Sequence, residues 1–241
     1  ECFWKMKKVG VYPDAVTYTC ILKICGMVGS LEIGEKIHTK IKKQGLLQRD
    51  ILLGNTLVDM YVKCGALERA QDVFEELPVR NIVSWTAMMA GFAQLGEAKV
   101  VLGLFEMVKA EGIAPDLVMF LILLSACNHA GLLKEGEKWF DEMCTVYSFT
   151  PTIEHYTCMI DLLGRSGHVD DAVKIIQRMP FQPGVIVCHA LLGSCRKWGT
   201  VEFARQALKH IVQLDEKDIA SYACLSNIYI DASRKQVYKD G

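Results

Sequence analysis

The sequence predicts an all-α fold, a right-handed α-solenoid of stacked antiparallel helix-turn-helix repeats. Three observations carry that prediction. A glycine-led segment recurs at Gly29, Gly65, Gly96, Gly131, Gly167 and Gly199, with spacings of 36, 31, 35, 36 and 32 residues. A period of that size marks stacked repeats. Behind each glycine the same stripe returns. An apolar or small residue stands two positions on (Leu31, Leu67, Ala98, Leu133, Val169, Val201), and a mostly small one five on (Gly34, Ala70, Val101, Gly136, Ala172, Ala204). Bulkier residues follow at eight and nine, such as Val73 and Phe74 or Trp139 and Phe140, so the offsets trace one face of a helix that starts just after the glycine. Finally, no sustained period-two alternation bounded by hairpin turns occurs.

The elements follow in order. Residues 1–14 read as the tail of an incomplete repeat, closing in VYPD. Repeat one spans 15–50, with helices expected over Val16–Val28 and Leu31–Gln44 and a stop at Gly45. Repeat two spans 51–81, with helices expected over Leu52–Cys64 and Leu67–Leu77, the second ended by Pro78. Repeat three (82–116) closes at Asp116, repeat four (117–152) around Pro151, and repeat five (153–184) in PFQPG. A further helix pair, Val185–Asp218, keeps the turn glycine, and a last helix is expected from Ile219 to about Ile230. The start at Glu1 rather than Met and the unfinished last unit suggest a piece of a longer protein, with any targeting peptide outside it.

Composition narrows the function classes. Half of the 241 residues are apolar, enough for a long continuous core. No run of about eighteen apolar residues occurs, so no membrane partner is expected. A net charge of −1 argues against strong nonspecific nucleic-acid binding but leaves room for a local basic face. Lys36, Lys40, Lys42 and Lys43, and again Lys5, Lys7 and Lys8, are such concentrations, which read most simply as solvated helix faces. The ten cysteines contain no C-x-x-C pair. Cys25 and Cys127 share one repeat position and Cys20 and Cys158 another, the behaviour of helix-packing residues in a reducing compartment. Trp85, Phe105, Trp139 and Phe140 recur at helix-face spacing and are expected in the core rather than stacked on bases.

The segments NTLVDMYVKCGALERAQDVFEELPVRN, IVSWTAMMAGFAQLGEAKVVLGLFEMVKAEGIAPD, LLSACNHAGLLKEGEKWFDEM and IEHYTCMIDLLGRSGHVDDAVKIIQRMP resemble plant pentatricopeptide repeat proteins. The resemblance is to the subclass that alternates repeats of standard, long and short length. By it, 15–50 and 117–152 are long, 51–81 and 153–184 short, and 82–116 standard. Residues 185–241 resemble the C-terminal extension that follows the last repeat, marked by ALLGSC and SYACLSNIY. Cys188 stands where the family has Trp, and Trp198 where it has His.

The resemblance implies single-stranded RNA binding in a mitochondrion or chloroplast, one base per repeat. The fifth and last residues of each repeat would read the base, and an aliphatic second residue would wedge between bases. Stacked first helices make a groove, and single-stranded RNA exposes the edges that such a groove can read. On this mapping Thr86 and Asp116, with Val83 as wedge, imply guanine. Asn55 and Asn81, with Leu52, imply a pyrimidine, cytosine favoured. Thr19 and Asp50, with Val16, are guanine-like. Leu121 and Thr152, with Val118, imply no preference, because Leu121 can neither donate nor accept. Thr157 and Gly184 imply a weak purine preference, and Glu154 replaces the wedge. Each residue also has a plainer reading: the threonines as ordinary exposed helix residues, Asn81 and Asp116 as turn or N-cap residues.

No enzyme is expected from this chain, and no cofactor. A zinc deaminase needs H-x-E followed by P-C-x-x-C. None of the six histidines begins H-x-E; His168-Val169-Asp170 comes nearest, in a repeat turn. Phosphate-loop, Rossmann and G-x-S-x-G signatures are also missing. The resemblance makes site recognition for cytidine-to-uridine editing the first functional expectation, with deaminase-bearing or accessory editing proteins engaged through 185–241. A processing, splicing or stability factor with the same repeats is one alternative. A protein-binding scaffold of the tetratricopeptide kind is the other, though the period is not a constant 34 and the W-x2-L-G-x2-Y signature is missing.

Overall fold

In a computed structural model the chain is described at residues 6, 10, 12–198, 200–214 and 218–237. The expected helix tail at the start, with Lys5, Lys7 and Lys8, and the turn glycine at 199 lie outside the described residues. Helices α1 (Ala15–Val28) to α13 (Ile219–Val237) follow one another with no strand among the described residues. Between them run α2 (Leu31–Lys43), α3 (Ile51–Lys63), α4 (Leu67–Glu76), α5 (Ile82–Gln94), α6 (Ala98–Ala110) and α7 (Leu117–Ala130). Then come α8 (Leu133–Thr145), α9 (Ile153–Arg165), α10 (Val169–Arg178), α11 (Val185–Trp198) and α12 (Val201–Leu214). The chain forms two compact units, up to Met119 and from Phe120.

The recurrent glycine acts as a backbone device. Gly29, Gly65, Gly96, Gly131 and Gly167 all adopt the left-handed conformation, which costs other residues roughly 1–2 kcal/mol. The residue after each glycine then donates its N–H to the carbonyl five residues back. These bonds are Ser30 to Cys25 and Ala66 to Tyr61 (2.9 Å each), Glu97 to Phe92 (3.0 Å), and Leu132 to Cys127 and His168 to Leu163 (2.9 Å each). Thr200 makes the same bond to Cys195 at 3.1 Å, so the extension turns as the repeats do. Each turn ends a first helix, satisfies its last carbonyls and reverses the chain within two residues.

Packing follows the stripe. The buried residues of α4 are Leu67, Ala70, Val73 and Phe74, at the offsets expected behind Gly65. At Gly34 an added Cβ would meet Met60 Sδ at 2.5 Å, which is why the fifth offset stays small. In the first unit, first helices touch in series, α1 on α3 and α3 on α5, while α2 and α4 each pack on their own first helix and the next. Leu22, Ile37, Leu57 and Phe105 are wholly buried there. Trp85 is also buried; it donates Nε1–H to Glu111 at 3.0 Å and stands edge-on to Phe74 at 4.8 Å. In the second unit, α9 packs on α11 and α11 on α13, around Ile160, Val187, Leu192, Ile211 and Ile228.

Several expectations are corrected in detail. The second helix of repeat two ends at Glu76, not Leu77, because Pro78 forces the residue before it into an extended conformation. The second helix of repeat one ends at Lys43, before Gln44 and the left-handed Gly45. The last helix runs to Val237, with no Gly or Pro between Ile230 and Val237 to break it. Cys25 and Cys127 are buried as packing residues, but Cys20 is exposed. The two departures in the extension are absorbed: Cys188 is buried, and Trp198 donates Nε1–H to the Gly164 carbonyl at 2.6 Å.

Candidate nucleic-acid interface

The first unit holds a cleft of about 470 Å³ on its first-helix face. Its lining includes Leu52, Asn55, Val83, Thr86, Asp116 and Val118, so the structure brings together the sequence-predicted residues of repeats two and three other than Asn81. The expected wedges are large apolar side chains left in solvent: Val16 is 68% exposed, Leu52 58%, Val83 54% and Val118 52%. One exposed aliphatic at a fixed position of consecutive repeats is not what core packing requires.

The last residue of repeats one to three caps the helix that follows, as Asp14 does before repeat one. Asp14 accepts from the Thr17 N–H at 2.8 Å, Asp50 from Leu53 at 3.0 Å, and Asp116 from Met119 at 2.9 Å. Asn81 accepts from Val83 and Ser84, both at 3.1 Å. The plainer N-cap reading of Asn81 and Asp116 is therefore correct as far as the fold goes, and Asn81 Oδ1, which also accepts from Asn55, is filled by these bonds. The two hydrogen bonds from Thr17 hold the Asp14 carboxyl below the usual carboxylate range.

The fifth residues differ. Asn55 is buried and donates Nδ2–H to Asn81 Oδ1 at 3.1 Å, so the two proposed readers of repeat two touch each other. Its buried Oδ1 has no hydrogen-bond partner in the structure, the kind of acceptor a ligand donor would satisfy. Thr19, Thr86 and Thr157 each bond back to the carbonyl four residues earlier, at 2.9, 2.7 and 2.7 Å. Thr19 is buried rather than exposed. In repeat four the half-buried Leu121 faces no polar task, and Thr152 donates Oγ1–H to Glu154 at 2.5 Å. That bond holds the Glu154 carboxyl below its ordinary range. Glu154 is exposed, and an acid stands where the other repeats keep a wedge.

Two residues of the cleft escaped sequence reading. Lys23 and Asp59, the ninth residues of repeats one and two, line it. They stand four positions beyond the fifth residue, one helical turn along the same face, and that spacing was the available signal. The lysine concentration on α2 lies elsewhere. Lys36 pairs with Glu32 at 2.5 Å and Lys42 with Glu76 at 2.7 Å. Lys42 and Lys43 border a second depression with His38, Tyr61 and Arg69. Among the described residues no group of three or more His, Cys, Asp or Glu is placed to hold a metal, and no helix is long and apolar enough to cross a membrane. Burial pushes the Cys127, Cys158 and Cys188 thiols up to about 11, away from nucleophilic range.

Comparison with known proteins agrees with this repeat geometry. The profile of the pentatricopeptide repeat domain matches residues 1–28 and 79–130, and that of the PPR repeat matches 16–46, 55–82, 118–145 and 154–181. The chain belongs to the pentatricopeptide repeat family. A pentatricopeptide repeat-containing protein of Arabidopsis thaliana is 42% identical over 228 residues, 95% of this chain and 38% of that protein. Another from the same plant, named as mitochondrial, is 40% identical over 234 residues, 97% of this chain and 37% of its own. The chain thus spans little more than a third of the length of these relatives. Among solved structures, the pentatricopeptide repeat protein PPR10 from maize aligns with a TM-score of 0.79 at 19% identity, over 98% of this chain and 34% of that one. The repeat domain of the Arabidopsis protein-only RNase P 1, in complex with tRNA, aligns with a TM-score of 0.60 at 12% identity, over 71% of this chain and 94% of that one. Both likenesses concern the fold.

Proposed function

We propose that the chain binds single-stranded RNA along its first helices, one base per repeat. The observation that carries this reading is the cleft in which Leu52, Val83 and Val118 stand exposed beside Asn55, Thr86 and Asp116. Aliphatic wedges can enter between splayed bases, and short polar side chains beside them meet the Watson–Crick edge. Thr86 with Asp116 is assigned guanine, whose edge donors suit a carboxylate. Asn55 with Asn81 is assigned a pyrimidine, cytosine first, with Thr19 and Asp50 guanine-like and Thr157 a weak purine reader. Val16 extends the wedge row at repeat one.

Maize PPR10 has also been solved in complex with an 18-nt psaJ RNA element, and the RNase P relative with tRNA. Such relatives favour a role in processing, splicing or stability of organelle RNA over the editing role. Site recognition for cytidine-to-uridine editing is the second reading. It rests on the uneven repeat lengths and on the extension, through which deaminase-bearing or accessory proteins would be engaged. Two relatives named as mitochondrial support an organelle setting.

The test is a titration of the chain against short single-stranded RNAs with pyrimidine-guanine at the positions facing repeats two and three, or with that guanine changed to adenine. A correct pairing contributes on the order of 1–3 kcal/mol, the magnitude found for direct base readout. Guanine is expected to bind tighter, and Thr86→Asn to move the preference toward uridine. Binding that ignores both changes and collapses with salt would be electrostatic contact only and would sink the reading.

A further inference from the structure

The helix pair 185–218, outside the five repeats, repeats their reading geometry. Counted from Val185, its second residue is Ile186, 68% exposed, as Val16 is in repeat one. Its fifth residue is His189 and its last is Asp218. These two meet at 2.5 Å, His189 Nε2 to Asp218 Oδ2, just as the fifth and last residues of repeat two meet at 3.1 Å. Asp218 also does the work of a last residue, bonding Ser221 at the start of α13 through Oγ–H at 2.7 Å. His189 Nε2 lies 2.9 Å from the same Ser221 hydroxyl. The turn of this pair is the repeat turn, through Thr200 and Cys195, and α11 packs on α9 as α3 packs on α1. Core packing accounts for neither the exposed isoleucine nor an imidazole with 43% of its surface in solvent.

We propose that residues 185–218 form a sixth base-binding position, with Ile186 as the wedge and His189 and Asp218 as the readers of a guanine or uracil. This rests on the RNA-binding reading of the repeats. A carboxylate only accepts hydrogen bonds. Guanine and uracil present a ring N–H on the Watson–Crick edge; adenine and cytosine present a ring acceptor there, which the carboxylate repels. Hydrogen bonds from Ser221 and His189 hold the Asp218 carboxyl below its ordinary range, so it accepts throughout the neutral region.

The experiment uses the whole 241-residue chain and labelled single-stranded RNAs with a fixed core facing repeats one to five. The base one step 3′ of that core is varied among all four, and anisotropy titrations give the affinities. Guanine and uracil are expected to bind about tenfold tighter than adenine and cytosine, a ratio within the span of direct base readout. Asp218→Asn should erase that preference with the melting temperature unchanged, since Asn caps a helix as well as Asp. Equal affinity for the four bases, while guanine facing repeat three is still selected, would overturn the sixth position alone. A preference that survives in Asp218→Asn would overturn it too. No binding of any single-stranded RNA would overturn it together with the reading of the repeats.

Discussion

Repeats two and four share a turn and differ in what they offer a ligand. Both close through a left-handed glycine, Gly65 and Gly131, and both send an N–H back to the eleventh residue of the repeat, Tyr61 or Cys127. Both follow the turn with a helix whose stripe enters the core, through Val73 and Phe74 in one and Trp139 and Met143 in the other. At the fifth and last positions they part. Repeat two places two amides in contact, Asn55 and Asn81. Repeat four has Leu121, and a threonine already bonded to Glu154. The lesson is that helix pairing is encoded by the turn and the stripe, while the fifth and last positions can change without disturbing it.

The strongest way to break the shared half of that comparison is to overfill the small position after the turn. Ala70→Leu in repeat two would overfill a wholly buried position, and Gly136→Leu in repeat four would drive a side chain toward Leu162. Each is expected to lower stability by about 1–3 kcal/mol, the usual range for overpacking. Urea unfolding measures it. If one variant were neutral and the other severe, the two repeats would not be built alike.

The unshared half is tested by transplanting it. Leu121→Asn with Thr152→Asn gives repeat four the amides of repeat two. The double variant should acquire a preference for a pyrimidine at its own position, where the parent chain is expected to show none. The gain should reach about 1 kcal/mol, the lower end for a single correct pairing. Competition binding with RNAs varied at that one base reads it directly. A variant as indifferent as the parent would mean that neighbours such as the ninth residue set the preference.

Much of this architecture is legible in the sequence, because the glycine and its stripe are backbone and packing constraints that leave periodic marks. The expected wedges Val16, Leu52, Val83 and Val118 are named by the family resemblance, and only the structure shows them exposed. Helix ends are read less well. Leu77 looks helical by pattern, yet the ring of Pro78 decides its conformation. The contact between His189 and Asp218 is invisible in the chain, because residues 29 apart meet only once two helices have reversed and packed. Lys23 and Asp59 are missed for a milder reason, since their face is evident only after the fifth residue is known to line a cleft.

A smaller effect separates the capping by the last residues from their proposed reading of bases. Asn81→Ala removes a cap that accepts from Val83 and Ser84, and Asp116→Ala one that accepts from Met119. Each should cost about 1 kcal/mol of stability. Asn81→Asp keeps the cap and should leave the melting temperature where it was, while shifting base preference. A melting temperature that tracks base preference across all three variants would show that the two roles cannot be separated.

The smallest effect is zero at neutral pH and appears only in alkali. The eleventh residue is Tyr61 in repeat two and Cys127 in repeat four. Burial raises Tyr61 from 10.0 to about 12, and Cys127 from 9.0 to about 11. In both, the folded state favours the protonated form, so more protons are bound folded than unfolded between the two values. Stability is then complete below the unfolded pKa and falls as pH rises through the folded one. The loss should begin near pH 9 from Cys127, shared with the similarly raised Cys158 and Cys188, and extend from pH 10 to 12 for Tyr61. Cys127→Ala should therefore flatten part of the decline between pH 9 and 11 and leave the slope above it intact. Melting temperatures taken across pH 7 to 12 give both slopes. Parallel curves for the parent and the variant would mean that the Cys127 site opens before its thiol ionises, and that the turn of repeat four is the looser of the two.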